Sequence, residues 1–89
     1  MVEEKVIVKN KLGLHARPSA LLVKTASSFR SCHVFLSRDG QVINGKSIMG
    51  VMMLAANLGS EVTITVQGEG EEQALTALVK LFEEKFGED

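Results

Sequence analysis

The chain has 89 residues, which suits one small domain with a single modest core, and we predict that residues 1–89 form that domain. Its 10 Lys and Arg against 11 Asp and Glu argue against a nucleic-acid interface or attraction to an anionic membrane. No apolar run reaches the roughly 18 residues of a membrane span, no secretory signal precedes the first strand, and the lone Cys32 excludes an internal disulfide, so a cytoplasmic location is expected.

The first predicted elements place a histidine at the start of a helix. Residues 2–8 are predicted to form a strand, with Val2, Val6 and Val8 on one face and charged side chains mostly on the other. Residues 10–14 form a loop that leads to His15. We predict a helix at Ala16–Ser28, because Pro18 suits a first helical turn and no breaker follows it.

His15 is the candidate reactive residue. The N–H groups at a helix start are unpaired and favour a bound anion, and Arg17 adds a fixed positive charge for phosphate oxygens. These features indicate a nucleophilic histidine that carries a phosphoryl group on an imidazole nitrogen. The alternative is a histidine that only caps the helix or hydrogen-bonds within the loop.

The predicted helix has two different faces. Leu22, Ala26 and Phe29 follow helical spacing and are expected to face the core. A second stripe mixes small apolar and basic side chains, and we interpret it as a contact surface. It comprises Arg17, Ala20 and Lys24, with Ala16 and Val23 beside it.

A hairpin follows the helix. Residues 32–37 alternate as a strand, and Asp39-Gly40 is a turn signal that returns the chain along a third strand at residues 41–43. His33 lies on the outward face of its strand without a second ligand at metal-binding spacing. No metal site is therefore predicted.

Ser47 is the expected N-cap of a short helix that begins after a turn at residues 44–46. Within this helix Val51, Leu54 and Leu58 have the spacing of an inward stripe, so the methionines are expected to face solvent. Exposed methionines suit a surface that accepts several unlike partners. The resulting docking patch comprises Ala20, Val23, Ile48, Met49, Met52 and Met53, ringed by Arg17, Lys24 and Lys46.

The last two elements complete the fold prediction. Residues 61–67 form the clearest strand, and residues 71–86 form an amphipathic helix. The order βαββαβα with alternating strands predicts an α+β fold, a two-layer open-faced sandwich. A four-stranded antiparallel sheet is expected to carry three helices on one face.

Two motifs give the chain a family resemblance. They are Gly-Leu-His-Ala-Arg-Pro-Ser at residues 13–19 and Gly-Lys-Ser-Ile-Met-Gly at residues 45–50. With these motifs, and over essentially its whole length, the chain resembles the histidine-containing phosphocarrier (HPr) family of the bacterial phosphoenolpyruvate-dependent phosphotransferase system.

The resemblance implies a function, partners and site residues. His15 would accept a phosphoryl group at Nδ1 from phosphorylated enzyme I, with Arg17 as charge partner, and pass it to enzyme IIA domains for sugar uptake. Ser47 matches the regulatory serine modified by an ATP-dependent HPr kinase/phosphorylase. The family also implies sheet order 1-4-2-3, a carrier rather than an enzyme, no cofactor, and a monomer.

Two other functions stay open. The first is a purely regulatory phosphorelay member, since Ala55 and Ala56 stand where many sugar-pathway members have glycine, and the tail at residues 86–88 looks more like proteobacterial members, including the nitrogen-related branch. The second is an ordinary nucleic-acid or small-ligand binding module. The near-neutral charge and the lack of exposed aromatic residues on the predicted strands argue against RNA binding.

Overall fold

The predicted order of strands and helices is confirmed by the computed structural model, which describes residues 1–88. Asp89, the last residue of the predicted domain, lies outside this range. The elements are β1 (Val2–Ile7), α1 (Ala16–Ser28), β2 (Cys32–Arg38), β3 (Gln41–Asn44), α2 (Ile48–Met53), β4 (Glu61–Gly68) and α3 (Glu71–Glu83), followed by a 3-10 turn at Lys85–Gly87.

The strands form one antiparallel sheet of order β1-β4-β2-β3, which confirms the expected topology. Strand β4 lies in the interior of the sheet, and its alternation directs Val62, Ile64 and Val66 into the core, where they are fully buried. In the register, Val66 lies opposite Val34 on β2 and opposite Val2 on β1. Each fully buried aliphatic side chain contributes about 1.5–3 kcal/mol, so this alternation fixes which face the helices cover.

The helices form the second layer. Helix α3 packs against β1 and β4, and α1 packs against both α2 and α3. Leu22 and Ala26 of α1 are fully buried, as their spacing predicts. Pro18 is buried in the first turn of α1.

The predicted extent of the last helix, residues 71–86, is wrong. Helix α3 ends at Glu83, and Lys85 and Phe86 have φ values of 57° and 55°. Phe86 is nevertheless buried, and its ring meets that of Phe82 edge to face with centroids 4.9 Å apart. Apolar residues four positions apart suggest a continuing helix, but here the second one reaches the core from a left-handed turn.

The inward stripe predicted for the short helix is correct at Val51 and Leu54, which are buried, and wrong at Leu58, which is 56% exposed. Helix α2 ends at Met53, and Ala55 then takes φ 53°. The left-handed residue changes the direction of the chain, so helical spacing no longer predicts which side chains face the core.

We expect Ala55→Gly to raise the free energy of unfolding by about 0.5–1 kcal/mol. A non-glycine residue in the left-handed region costs about 1–2 kcal/mol, which exceeds the roughly 0.4–1 kcal/mol that glycine adds in unfolded-chain entropy. Ala55 is exposed, so no packing is lost. Urea denaturation measures the change.

Ala56→Gly is the matched control, because Ala56 is buried and its φ is not positive. It is expected to lower the free energy of unfolding by about 1 kcal/mol, because glycine increases the conformational entropy of the unfolded chain without relieving strain at this position. A shift of both variants in the same direction would contradict the assignment of strain to Ala55.

Candidate functional site

The loop that leads to His15 is tightly fixed. Gly13 has φ 68°, and a Cβ there would collide with the carbonyl oxygen of Ala56. The Leu14 N–H donates to the same Ala56 oxygen at 2.9 Å. The buried Asn10 side chain donates from Nδ2 to the Gly13 carbonyl at 2.7 Å. The loop is thus held by its own residues and by the segment after α2.

His15 occupies the N-cap position of α1 without capping the helix. Its backbone is extended, with φ −75° and ψ −169°, and its side chain makes no capping hydrogen bond. Its carbonyl accepts the first helical hydrogen bond, from the Ser19 N–H at 3.0 Å. The imidazole is 34% exposed. The interpretation of His15 as a capping residue is therefore wrong, and the ring is partly accessible.

The His15 ring contacts a carboxylate that sequence patterns did not indicate. His15 Nε2 lies 3.1 Å from both carboxylate oxygens of Glu88, and Asn10 Nδ2 donates to Glu88 Oε1 at 3.1 Å. The hydrogen bond from His15 holds the pKa of Glu88 below its ordinary value, opposed by burial and assisted by Asn10 and the positive charge of Arg17. Glu88 is therefore an ionised carboxylate at neutral pH.

Two basic residues line a groove beside Glu88. A shallow groove is lined by Lys11, Leu12, Arg17, Gly87 and Glu88. Arg17 is exposed in the first turn of α1, close enough to Glu88 for its charge to act on that carboxylate. The structure thus brings His15 and Arg17 to one end of α1, as predicted, and adds Lys11 and Glu88.

The methionines predicted to face solvent do so. Ile48, Met49, Met52 and Met53 are all exposed on α2, and α2 packs beside α1. Ala16, Ala20 and Lys24 are exposed on α1. Leu21, which the sequence assigned to neither face, is also exposed and extends the apolar surface of α1.

Two residues assigned to the docking patch have other contacts. Val23 is only partly exposed and packs against the core. Lys46 directs its Nζ to the Phe29 carbonyl at the C-terminal end of α1, at 3.1 Å. A lysine there satisfies a carbonyl at a helix end and complements the helix dipole. The ammonium group of Lys46 therefore has a hydrogen-bond partner within the fold.

Ser47 is the N-cap of α2, as predicted. Its hydroxyl oxygen accepts the Gly50 N–H at 3.1 Å, and its carbonyl accepts the Val51 N–H at 3.0 Å. The side chain is partly exposed, so the hydroxyl combines a structural contact with access to solvent.

Other features of the described part of the chain concern metal binding, membrane spanning and thiol chemistry. Within residues 1–88, no group of three His, Cys, Asp or Glu side chains is close enough to hold a metal ion. Over the same range, no helix is both long and apolar enough to cross a membrane. His33 is exposed on β2, and Cys32 is a buried free thiol whose Sγ lies 3.1 Å from the Glu69 carbonyl oxygen.

Comparison with known proteins gives the family of the chain. A family model described as "PTS HPr component phosphorylation site" matches residues 2–84. Phosphocarrier protein HPr of Xylella fastidiosa (strain 9a5c) is 52% identical over 89 residues, which cover 100% of this chain and 99% of that protein.

Two solved structures are similar over nearly the whole chain. HPr-C-His from Thermoanaerobacter tengcongensis has a TM-score of 0.95 and 48% identity, covering 100% of this chain and 99% of that one. Crh, a Bacillus subtilis catabolite repression protein described as a dimer with a swapping domain, has a TM-score of 0.76 and 49% identity, covering 96% and 97%. The chain belongs to the HPr family, the phosphocarrier proteins of the phosphotransferase system.

Proposed function

We propose that this chain carries a phosphoryl group on Nδ1 of His15, accepts it from phosphorylated enzyme I and passes it to enzyme IIA domains for sugar uptake. The observation that carries the proposal is an imidazole at the start of α1 that is partly exposed and does not cap the helix. A ring with neither a capping role nor full burial is free to react with successive partners.

The surroundings of His15 suit phosphoryl transfer. The Nδ1 lone pair attacks phosphorus, and the bond to the donor enzyme breaks with its electron pair staying on the donor. The transferred group carries negative charge on its oxygens, which fixed positive groups stabilise without reorganisation. Arg17, Lys11 and the N–H groups at the start of α1 supply that positive potential.

The test is phosphoryl acceptance by the full chain. Purified protein is incubated with phosphoenolpyruvate and enzyme I from a related bacterium, and the product is examined by intact-mass spectrometry. We expect one acid-labile phosphoryl group per chain, transferable to an enzyme IIA domain. Failure to accept it, with an enzyme I that phosphorylates its own carrier, would refute the proposal.

A purely regulatory role is the second candidate, and the similarity to Crh favours it. Crh is described as a catabolite repression protein, and Ser47 offers a partly exposed hydroxyl for an HPr kinase/phosphorylase. Onward transfer separates the two functions, because a regulatory member would be phosphorylated on His15 without passing the group to a sugar-specific enzyme IIA domain.

We expect Ser47→Asp to weaken binding to enzyme I about tenfold at low salt with little change in melting temperature. Aspartate is a good N-cap, so it can accept the Gly50 N–H that Ser47 accepts. We expect enzyme I to present acidic groups to the basic residues Arg17 and Lys24. The negative charge of the aspartate would face those groups, and like charges across an interface reduce affinity. Isothermal titration calorimetry measures the change.

Ser47→Asn is the control for this substitution, because asparagine caps a helix equally well without the charge. It is expected to bind enzyme I as the wild type does. Equal affinities for the Asp and Asn variants would show that charge at this position does not regulate docking.

We also propose that the protein acts as a monomer in the cytoplasm. The free thiol of Cys32 suits a reducing compartment. The dimer described for Crh makes a second copy the alternative, and sedimentation equilibrium at several concentrations distinguishes the two states.

A further inference from the structure

The tail after α3 is folded back onto His15 by a strained turn. Lys85, Phe86 and Gly87 are three consecutive residues with positive φ, at 57°, 55° and 75°. Two of them carry side chains, for which the left-handed region is unfavourable. Strain of this kind persists only where the surrounding structure imposes it, and it concentrates at functional sites.

Two contacts hold the turn in place. Phe86 is buried against Phe82 of α3, and this contact anchors the tail to the core. Asn10 is fully buried, and its Nδ2 donates both to the Gly13 carbonyl and to Glu88 Oε1. Both partners are acceptors, so they define the orientation of the Asn10 amide. The tail is thereby tied to the loop that leads to His15.

We propose that Glu88 is a positioning residue that holds the proton of neutral His15 on Nε2 and so leaves the Nδ1 lone pair free to attack phosphorus. This inference rests on the proposed function. The carboxylate lies 3.1 Å from Nε2 through both oxygens. An ionised carboxylate can only accept hydrogen bonds, so the nitrogen it contacts is the one that bears hydrogen.

The same contact suits the phosphorylated state. When Nδ1 bonds to phosphorus, the ring keeps its Nε2 proton and gains positive charge, so no proton has to leave before or after the transfer. The negative charge of Glu88 then stabilises the positively charged ring at short range. Within residues 1–88 no hydrogen bond involves Nδ1, so the tail engages only the nitrogen that does not react.

Basic groups keep Glu88 in the form that this role requires. Arg17 and Lys11 line the groove on which Glu88 lies, and the hydrogen bond from His15 lowers the pKa of the carboxyl. Both influences favour the ionised form of Glu88, which is the form that accepts the His15 hydrogen bond.

The test compares Glu88→Ala, Glu88→Gln and the control Glu83→Gln by 15N NMR of the His15 ring nitrogens at about pH 9. The wild type is expected to show a single tautomer with the proton on Nε2. Glu88→Ala is expected to show a mixture. Glu88→Gln is expected to stay near the wild type, because the amide oxygen still accepts from both Nε2 and Asn10. Glu83 is an exposed residue of α3, and its change is expected to have no effect.

A kinetic measurement follows the same variants. Glu88→Ala is expected to accept phosphoryl groups from enzyme I about tenfold more slowly, by analogy with groups that orient reactive histidines, with the loss in kcat rather than KM. Glu88→Gln is expected to recover part of that rate. An unchanged tautomer in Glu88→Ala, or an equal or faster rate, would overturn the inference.

The two measurements separate this inference from the function on which it rests. If wild-type protein accepts no phosphoryl group, the proposed function fails. The NMR experiment requires no enzyme I, so it still decides whether Glu88 sets the tautomer.

Discussion

We expect His15→Ala to reduce phosphoryl acceptance from phosphoenolpyruvate and enzyme I by more than about 10³-fold. Removing the nucleophile of a covalent transfer leaves only binding and electrostatic stabilisation, and losses of this size or larger follow. The imidazole is 34% exposed and does not cap α1, so the melting temperature is expected to change little. Intact-mass spectrometry after incubation measures acceptance, and circular dichroism measures the fold.

His33→Ala is the matched control, because His33 is the second of the 2 histidines in the chain and is exposed on β2. It is expected to accept phosphate at the wild-type rate. Acid-labile phosphate on the His15 variant at the wild-type rate, or its loss in the His33 variant, would refute the assignment of His15.

The fold could be predicted because its signals are local. Alternation placed Val62, Ile64 and Val66 inside, and helical spacing did the same for Leu22 and Ala26. Hydrophobic periodicity reports which face of an element is covered. The sheet order, by contrast, depends on contacts between distant strands, and only the family resemblance supplied it.

The errors arose where the chain leaves regular structure. Leu58 lies beyond the left-handed Ala55, and Phe86 lies in a left-handed turn after α3. At both points helical spacing was extended past the true end of a helix. Alanine, lysine and phenylalanine rarely adopt positive φ, so no residue type marked these two turns.

Glu88 could not be found from the sequence because its partner is remote. Its carboxylate meets a histidine 73 positions earlier in the chain, and only the combined path of α3 and the turn brings them together. Lys46 illustrates the same limit. Its motif suggested a free basic residue beside the docking patch, whereas the structure places its Nζ on the Phe29 carbonyl.

The double variant Met49→Glu, Met52→Glu is expected to lower affinity for enzyme I by at least about tenfold, and binding to an HPr kinase is expected to fall as well. The apolar side chains that the docking patch draws from α2 are exposed, and apolar side chains at the centre of an interface carry much of its binding energy. Met49 is 71% exposed and Met52 43% exposed. Stability is therefore expected to change by about 0.5 kcal/mol or less per substitution.

Val42→Glu is the control for a charge on an exposed apolar residue, because Val42 is 64% exposed on strand β3, outside the proposed docking patch. It is expected to alter neither stability nor affinity.

If Met49 and Met52 were buried, the double variant would unfold, since an unpaired buried carboxylate costs several kcal/mol and a domain of this size has little stability to lose. A double variant that does not fold would place these methionines in the core. One that folds and binds enzyme I normally would remove them from the docking patch.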